Sequence, residues 1–152
     1  MYSEDFHEIE PRLYLGCYEA IFGKPFQQLQ VTCIIALTPF EETPYTLPIT
    51  CYRYPLTSKS TLEEIKQVIH QVYEVLLKHP DETIYVHCYE GVSRSAICLI
   101  YYIHKKYNLT IEDAFHFVKQ KRPIYPKDIF LQAVNQMGGD RFFQEAIGRL
   151  DK

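Results

Sequence analysis

An α/β fold is predicted, with a central, largely parallel sheet of about four to five short strands flanked by helices on both faces. Three observations carry this expectation. Compact, β-branched apolar runs stand at residues 31–37 (VTCIIAL) and 83–87 (TIYVH), the pattern of strands buried on both faces. Longer segments with apolar residues at three- and four-residue steps lie between and after them, the period of helices that bury one stripe. The two kinds of segment also intermix along all 152 residues, with no repeat, low-complexity tract or Gly/Ser linker dividing them. Residues 1–152 are therefore read as one domain, of ordinary size.

Taken in order, Leu13, Tyr14 and Leu15 form a short first strand. Residues 31–37 form a buried strand stopped by Thr38-Pro39, and the Pro-rich stretch 39–48 is loop. Residues 50–54 (TCYRY) alternate and make another strand, ended by Pro55. Leu62, Ile65, Val68, Ile69, Val72, Tyr73 and Leu76 then give one helical stripe, with Ser60 or Thr61 as its cap and Glu63 and Glu64 in the favourable first turn. His79-Pro80-Asp81 ends it, and residues 83–87 return to strand. Residues 95–107 are apolar nearly all round, as suits a helix in the middle of a domain. Thr110 caps a further helix whose apolar positions are Ala114, Phe115, Phe117 and Val118. Pro123 and Pro126 break the chain, and helices over 129–137 and 141–150 close it, separated by Gly138-Gly139.

A hydrophobic fraction of 47% and a charged fraction of 23% are those of a globular protein and exclude disorder as the default. The net charge of −3 lacks the basic balance of a nucleic-acid binder. Short basic groups at Lys105-Lys106 and at Lys119, Lys121 and Arg122 are read as solvated helix ends. Five cysteines, an odd number with no pair at ligand spacing, fit neither a disulfide framework nor a zinc site. Cys33, Cys51 and Cys98 lie in apolar runs and are read as small hydrophobes. The N-terminus, MYSED, has no signal-like apolar stretch, Tyr2 stands where myristoylation needs Gly, and no run is long enough to span a bilayer. The expectation is a chain of the cytoplasm, with the nucleus second, and no membrane association.

Chemistry concentrates in Val86-His87-Cys88-Tyr89-Glu90-Gly91-Val92-Ser93-Arg94-Ser95. A Cys ends a buried strand, and an Arg follows after five residues at the start of a buried helix. Ligands of open α/β sheets bind outside the carboxyl ends of the strands. A tight loop there aims successive N–H groups of Tyr89, Glu90, Gly91, Val92 and Ser93 inward, and the helix N-terminus adds its positive end. Gly91 permits the turn. The same field activates the cysteine, because a helix N-terminus and an adjacent cation lower a thiol pKa from about 8.5 into the range of about 3.5–7.5. Arg94 can hold two phosphoryl oxygens in a bidentate fork, and Ser95 can donate to the sulfur. His87 is read as ordering the loop.

His87-Cys88 through Arg94-Ser95 resembles the signature loop of the protein tyrosine phosphatase superfamily, in the form used by dual-specificity phosphatases. Residues 9–16 (IEPRLYLG) look like that family's opening strand, and Ala114 through Arg122-Pro123, then Phe130, like its closing helices. The resemblance implies Cys88 as nucleophile, a phosphocysteine intermediate, and no metal or other cofactor. It also implies a shallow pocket accepting phosphotyrosine and phosphoserine or phosphothreonine of a protein substrate.

The sequence departs from the family's pattern at the loop after the strand that ends at Tyr54. Relatives carry there an Asp that protonates the leaving oxygen. Residues 54–59 (YPLTSK) contain no carboxylate, and Thr57 stands in its place. Loss of a positioned general acid costs about 10²–10⁴-fold. Three readings stay open: a slow enzyme suited to good leaving groups; a substitute acid, with Glu90 inside the loop ahead of Glu63 or Glu64; or a phosphoprotein-binding module without turnover. An RNA 5′-phosphatase of the same superfamily also manages without the Asp, although such relatives carry Asn-Arg-Thr where this chain has Ser93-Arg94-Ser95. Lys127-Asp128 before Ile129 is a second departure, at the pocket edge. Oxidation of Cys88 onto Cys33, Cys51 or Cys98 is a further option for a low-pKa thiol.

Overall fold

The computed structural model describes residues 4–39 and 49–139. Strand β1 (Phe6–Glu10) turns at Pro11-Arg12 into β2 (Leu13–Gly16), with Arg12 at φ 70°. A 3₁₀ turn (Glu19–Phe22) and the short α1 (Lys24–Gln28) lead to β3 (Cys33–Ala36). Then come β4 (Thr50–Arg53), α2 (Leu62–Lys78), β5 (Ile84–His87), α3 (Arg94–Tyr107), α4 (Ile111–Lys121) and α5 (Asp128–Gly138). The sheet order is β1-β2-β5-β3-β4; β1 runs antiparallel to β2 and every other neighbour pair is parallel.

Period-2 alternation sends side chains to two unequal cores. Leu15, Val86 and Ile35 are register neighbours and meet α2–α5 on one face. Tyr14, Tyr85 and Ile34, one residue earlier on each strand, face the smaller cluster built by Ala20, Ile21 and Phe26. Central β5 is buried at all four positions, and so is β3. Each large aliphatic side chain so buried contributes roughly 1.5–3 kcal/mol. Helix α2 opens on a complete capping box: the Thr61 hydroxyl accepts from Glu64 N–H at 3.1 Å, and the Glu64 carboxylate accepts from Thr61 N–H at 2.9 Å. Helix α3 ends at Asn108 in the left-handed region, φ 53°, and its last turn anchors β1, since Lys106 and the Tyr107 hydroxyl both bind Glu10 at 2.6 Å.

Several expectations need correction. The single opening strand is a hairpin; β1 escaped notice because only Ile9 of its five residues is buried. The 3₁₀ turn and α1 are too short to show a period. Cys51 is exposed rather than a core hydrophobe, because β4 is the edge strand. The helix expected over 141–150 and nearly all of the 39–48 loop lie outside the described residues. No helix among the described residues is long and apolar enough to cross a membrane.

Removing the capping-box hydroxyl by Thr61→Ala is expected to lower stability by about 1 kcal/mol, read as a shifted urea midpoint with an unchanged slope.

Candidate active site

β5 lies between β2 and β3, so the residues after His87 open at the carboxyl edge of the parallel strands. Cys88 is buried, and its sulfur accepts from Gly91 N–H at 3.3 Å and from the Ser95 hydroxyl at 3.2 Å. Burial alone raises the thiol's pKa. Hydrogen bonds from the Ser95 side chain and backbone and from Gly91 N–H, together with the Arg94 charge, outweigh it, and the thiol sits below its ordinary value. His87 is also buried, and burial pushes it down to about 4, so the ring is neutral near pH 7. Its Nδ1 bonds the Cys88 carbonyl at 3.1 Å and its ring packs against Tyr18 and Tyr85. That is the ordering role expected of it.

The loop is shaped from outside by Arg122. This guanidinium is only 2% exposed; its Nε donates to the Gly91 carbonyl at 2.8 Å and a terminal nitrogen to the Glu90 carbonyl at 2.9 Å. The other terminal nitrogen bonds the Asp5 carboxylate at 2.8 Å and His7 Nδ1 at 3.0 Å. In a trans peptide the carbonyl and the following N–H point opposite ways. Holding the carbonyls of Glu90 and Gly91 outward therefore turns the N–H groups of Gly91 and Val92 inward. Gly91 has φ 72°, and a Cβ there would lie 2.2 Å from the Gly16 carbonyl oxygen. Only glycine fits.

Arg122 was expected on a solvated helix end, with Lys119 and Lys121. The available signal was Pro123. A residue before proline is driven to extended backbone, and Arg122 at φ −152°, ψ 137° leaves the helix surface that the two lysines share.

Arg94 opens α3, and one terminal nitrogen donates to the Leu56 carbonyl at 2.6 Å. Leu56 N–H in turn bonds the Leu37 carbonyl, and Leu37 N–H the His87 carbonyl. The guanidinium is thus fixed to the loop after β4. Ser93 precedes α3 without capping it; its hydroxyl accepts instead from Lys127 N–H at 3.1 Å, and the Val92 carbonyl accepts from Tyr125 N–H at 2.7 Å. These bonds seat the start of α5 against the loop.

Cys88, Tyr89, Glu90, Val92, Ser93 and Arg94 line one pocket of about 490 Å³, closed on its other sides by Thr38, Pro39, Thr57, Ser58, Lys127 and Phe130. The structure thus brings together the residues singled out in the sequence, Gly91 and Ser95 supporting the sulfur from behind. Glu90 is the one carboxylate among the described lining residues. The Thr57 hydroxyl accepts from Lys59 N–H at 3.1 Å and so shapes its own turn. The Glu64 carboxylate is engaged in the capping box of α2, and neither Glu63 nor Glu64 lines the pocket. All five cysteines are free thiols.

Alkylation of Cys88 by iodoacetamide requires the thiolate, which is populated above the thiol's pKa. The rate is expected to reach half its plateau at a pH below the value of about 8.5 for a free thiol, and Ser95→Ala should move that midpoint upward. Arg122→Met is expected to weaken orthovanadate binding at least about 10-fold and to cost about 2–4 kcal/mol in urea unfolding, since two loop carbonyls lose a charged donor.

The sequence pattern described as dual specificity phosphatase, catalytic domain, matches residues 13–139. Human dual specificity protein phosphatase 16 is 31% identical over 127 residues, 81% of this chain and 19% of that protein. A probable dual specificity protein phosphatase of Dictyostelium discoideum is 28% identical over 134 residues, 87% of this chain and 34% of that protein. The chain thus spans about a fifth and about a third of these two relatives. Among solved structures, that of DUSP15 superposes with a TM-score of 0.78 at 23% identity, covering 90% of this chain and 88% of that one, which speaks to the fold. The loop around Cys88, the sheet that carries it and the matched stretch agree: the chain belongs to the dual specificity phosphatase family, and residues 13–139 are its catalytic domain.

Proposed function

We propose that the chain is a cysteine-dependent protein phosphatase acting on phosphotyrosine and on phosphoserine or phosphothreonine, through a cysteinyl-phosphate, in a reducing compartment of the cell. The observation that carries this reading is the buried Cys88 sulfur, which accepts hydrogen bonds from Gly91 and Ser95 and shares its pocket with the Arg94 guanidinium.

In the first step the Cys88 thiolate attacks phosphorus in line, a sulfur–phosphorus bond forms and the bond to the substrate oxygen breaks. The inward N–H groups of the loop and the remaining donors of Arg94 bind the equatorial oxygens, where charge gathers. The departing oxygen takes a proton from solvent or from the protonated carboxyl of Glu90, the one acidic residue among the described lining residues. In the second step water attacks phosphorus, the sulfur–phosphorus bond breaks, the water's proton leaves with the inorganic phosphate or passes to solvent, and the Ser95 hydroxyl stabilises the returning thiolate.

Thr57 in place of a carboxylate ranks substrates by leaving group. Phenolates depart more readily than alkoxides, so phosphotyrosine should be hydrolysed faster than phosphoserine. The same feature favours a second reading, hydrolysis of a phosphoanhydride such as the 5′ end of a triphosphorylated RNA, whose leaving phosphate needs no acid.

Phosphate release from an aryl phosphate between pH 5 and 8 tests the first reading. Wild type is expected to turn over, Cys88→Ser to be inactive, and Thr57→Asp to be faster by about 10-fold or more. A collapse of the rate in Glu90→Gln identifies Glu90 as the proton donor. Faster release from triphosphorylated oligonucleotide than from phosphotyrosine peptide favours the second reading. Equal inertness of wild type and Cys88→Ser, with both binding phosphopeptide, sinks the enzyme reading in favour of a phosphate reader.

A further inference from the structure

Five large hydrophobic side chains stand exposed among the described residues: Leu77, Tyr89, Tyr107, Tyr125 and Ile129. Three of them sit on segments that meet the Cys88 pocket. Tyr89, 50% exposed, lines it. Tyr125, 70% exposed, is held at its edge by the bond from its N–H to the Val92 carbonyl. Ile129, 40% exposed, stands in the first turn of α5 between Lys127 and Phe130, both of which line the pocket. The other two lie toward the far ends of α2 and α3.

We propose that Tyr89, Tyr125 and Ile129 read the residues flanking the phosphorylated residue of a substrate protein, so that phosphopeptides with large apolar or aromatic neighbours are preferred. The inference rests on the phosphatase reading above and names its substrate class. Tyr89 lines the phosphate pocket and the segments of Tyr125 and Ile129 adjoin it, so a peptide chain whose phosphoryl group enters the loop passes close to them. Charge at the rim selects weakly. Glu90 and Lys127 carry opposite signs on the same pocket wall, Asp128 follows at once, and all three are exposed to screening water. Apolar area withdrawn from water is gained in proportion to area, and a tyrosine ring offers much of it with few rotors to freeze. Apolar flanks therefore discriminate where mixed, screened charges do so weakly.

The test uses p-nitrophenyl phosphate and two phosphotyrosine peptides that differ only in carrying Leu and Phe, or Ser and Ser, beside the phosphotyrosine. Wild type is compared with the double variant Tyr125→Ser, Ile129→Ser. Wild type is expected to favour the apolar-flanked peptide in kcat/KM by about 10-fold. The double variant should lose most of that preference while its kcat/KM for p-nitrophenyl phosphate is retained. Equal rates on the two peptides in wild type, or a preference that survives in the double variant, overturns the proposal. An equal fall on all three substrates also overturns it, because the two side chains would then act on the loop itself. So does a wild-type dimer that the double variant converts to monomer, since a second copy would own the surface. If no substrate releases phosphate, the phosphatase reading fails by itself. Fluorescence anisotropy of the two peptides on wild type and double variant then decides the flank preference: a tighter apolar-flanked peptide, weakened in the variant, upholds it, and equal binding overturns it.

Discussion

A loop that offers its N–H groups to an anion has to send its carbonyls somewhere, and a buried carbonyl without a donor costs about as much as a lost hydrogen bond. Here Arg122 is that donor. One side chain at the end of α4 takes the carbonyls of Glu90 and Gly91 and is itself balanced by Asp5 and His7 from the edge of the sheet. A buried guanidinium is tolerable only when its donors are nearly all used and its charge is met. The loop supplies the first condition and Asp5 the second. The N-terminal strand, the last turn of α4 and the loop around Cys88 therefore form one electrostatic unit, although they lie far apart in sequence.

The inward N–H groups and α3 act on a sulfur that burial alone would keep protonated. Desolvation raises the Cys88 pKa, and the hydrogen bonds from Ser95 and Gly91 with the nearby Arg94 reverse it. Cys98 has no such help. It sits four residues after Arg94 on the same helix, donates to the Arg94 carbonyl, and burial with the neighbouring Cys88 raises its pKa. Two cysteines of one core thus differ in reactivity because only one is placed where a strand ends and a helix begins.

Much of this was legible in the sequence. The β-branched runs marked β3 and β5, the apolar stripe marked α2 with its cap at Ser60 or Thr61, of which Thr61 is the one used, and the spacing from Cys88 through Gly91 to Arg94 marked the pocket. What escaped detection has physical reasons. β1 buries one residue of five and leans on Lys106 and Tyr107 for its anchor, which no local pattern reveals. Cys51 belongs to a strand whose apolar letters suggested a core position, but an edge strand is solvated. Arg122 looks like one more cation in a basic run, and its burial depends on acceptors some thirty and more than a hundred residues away. Long-range partners of a polar side chain leave no period.

The bond between Arg94 and the loop after β4 ends on a main-chain oxygen, that of Leu56. Its strength is therefore indifferent to which side chain occupies the next position. Exchanging the side chain at Thr57 removes no atom of that bond, so the tie on the guanidinium and the chemistry of the neighbouring side chain are separable. The side chain at the turn is thus free to vary while the main chain keeps Arg94 in place at the pocket.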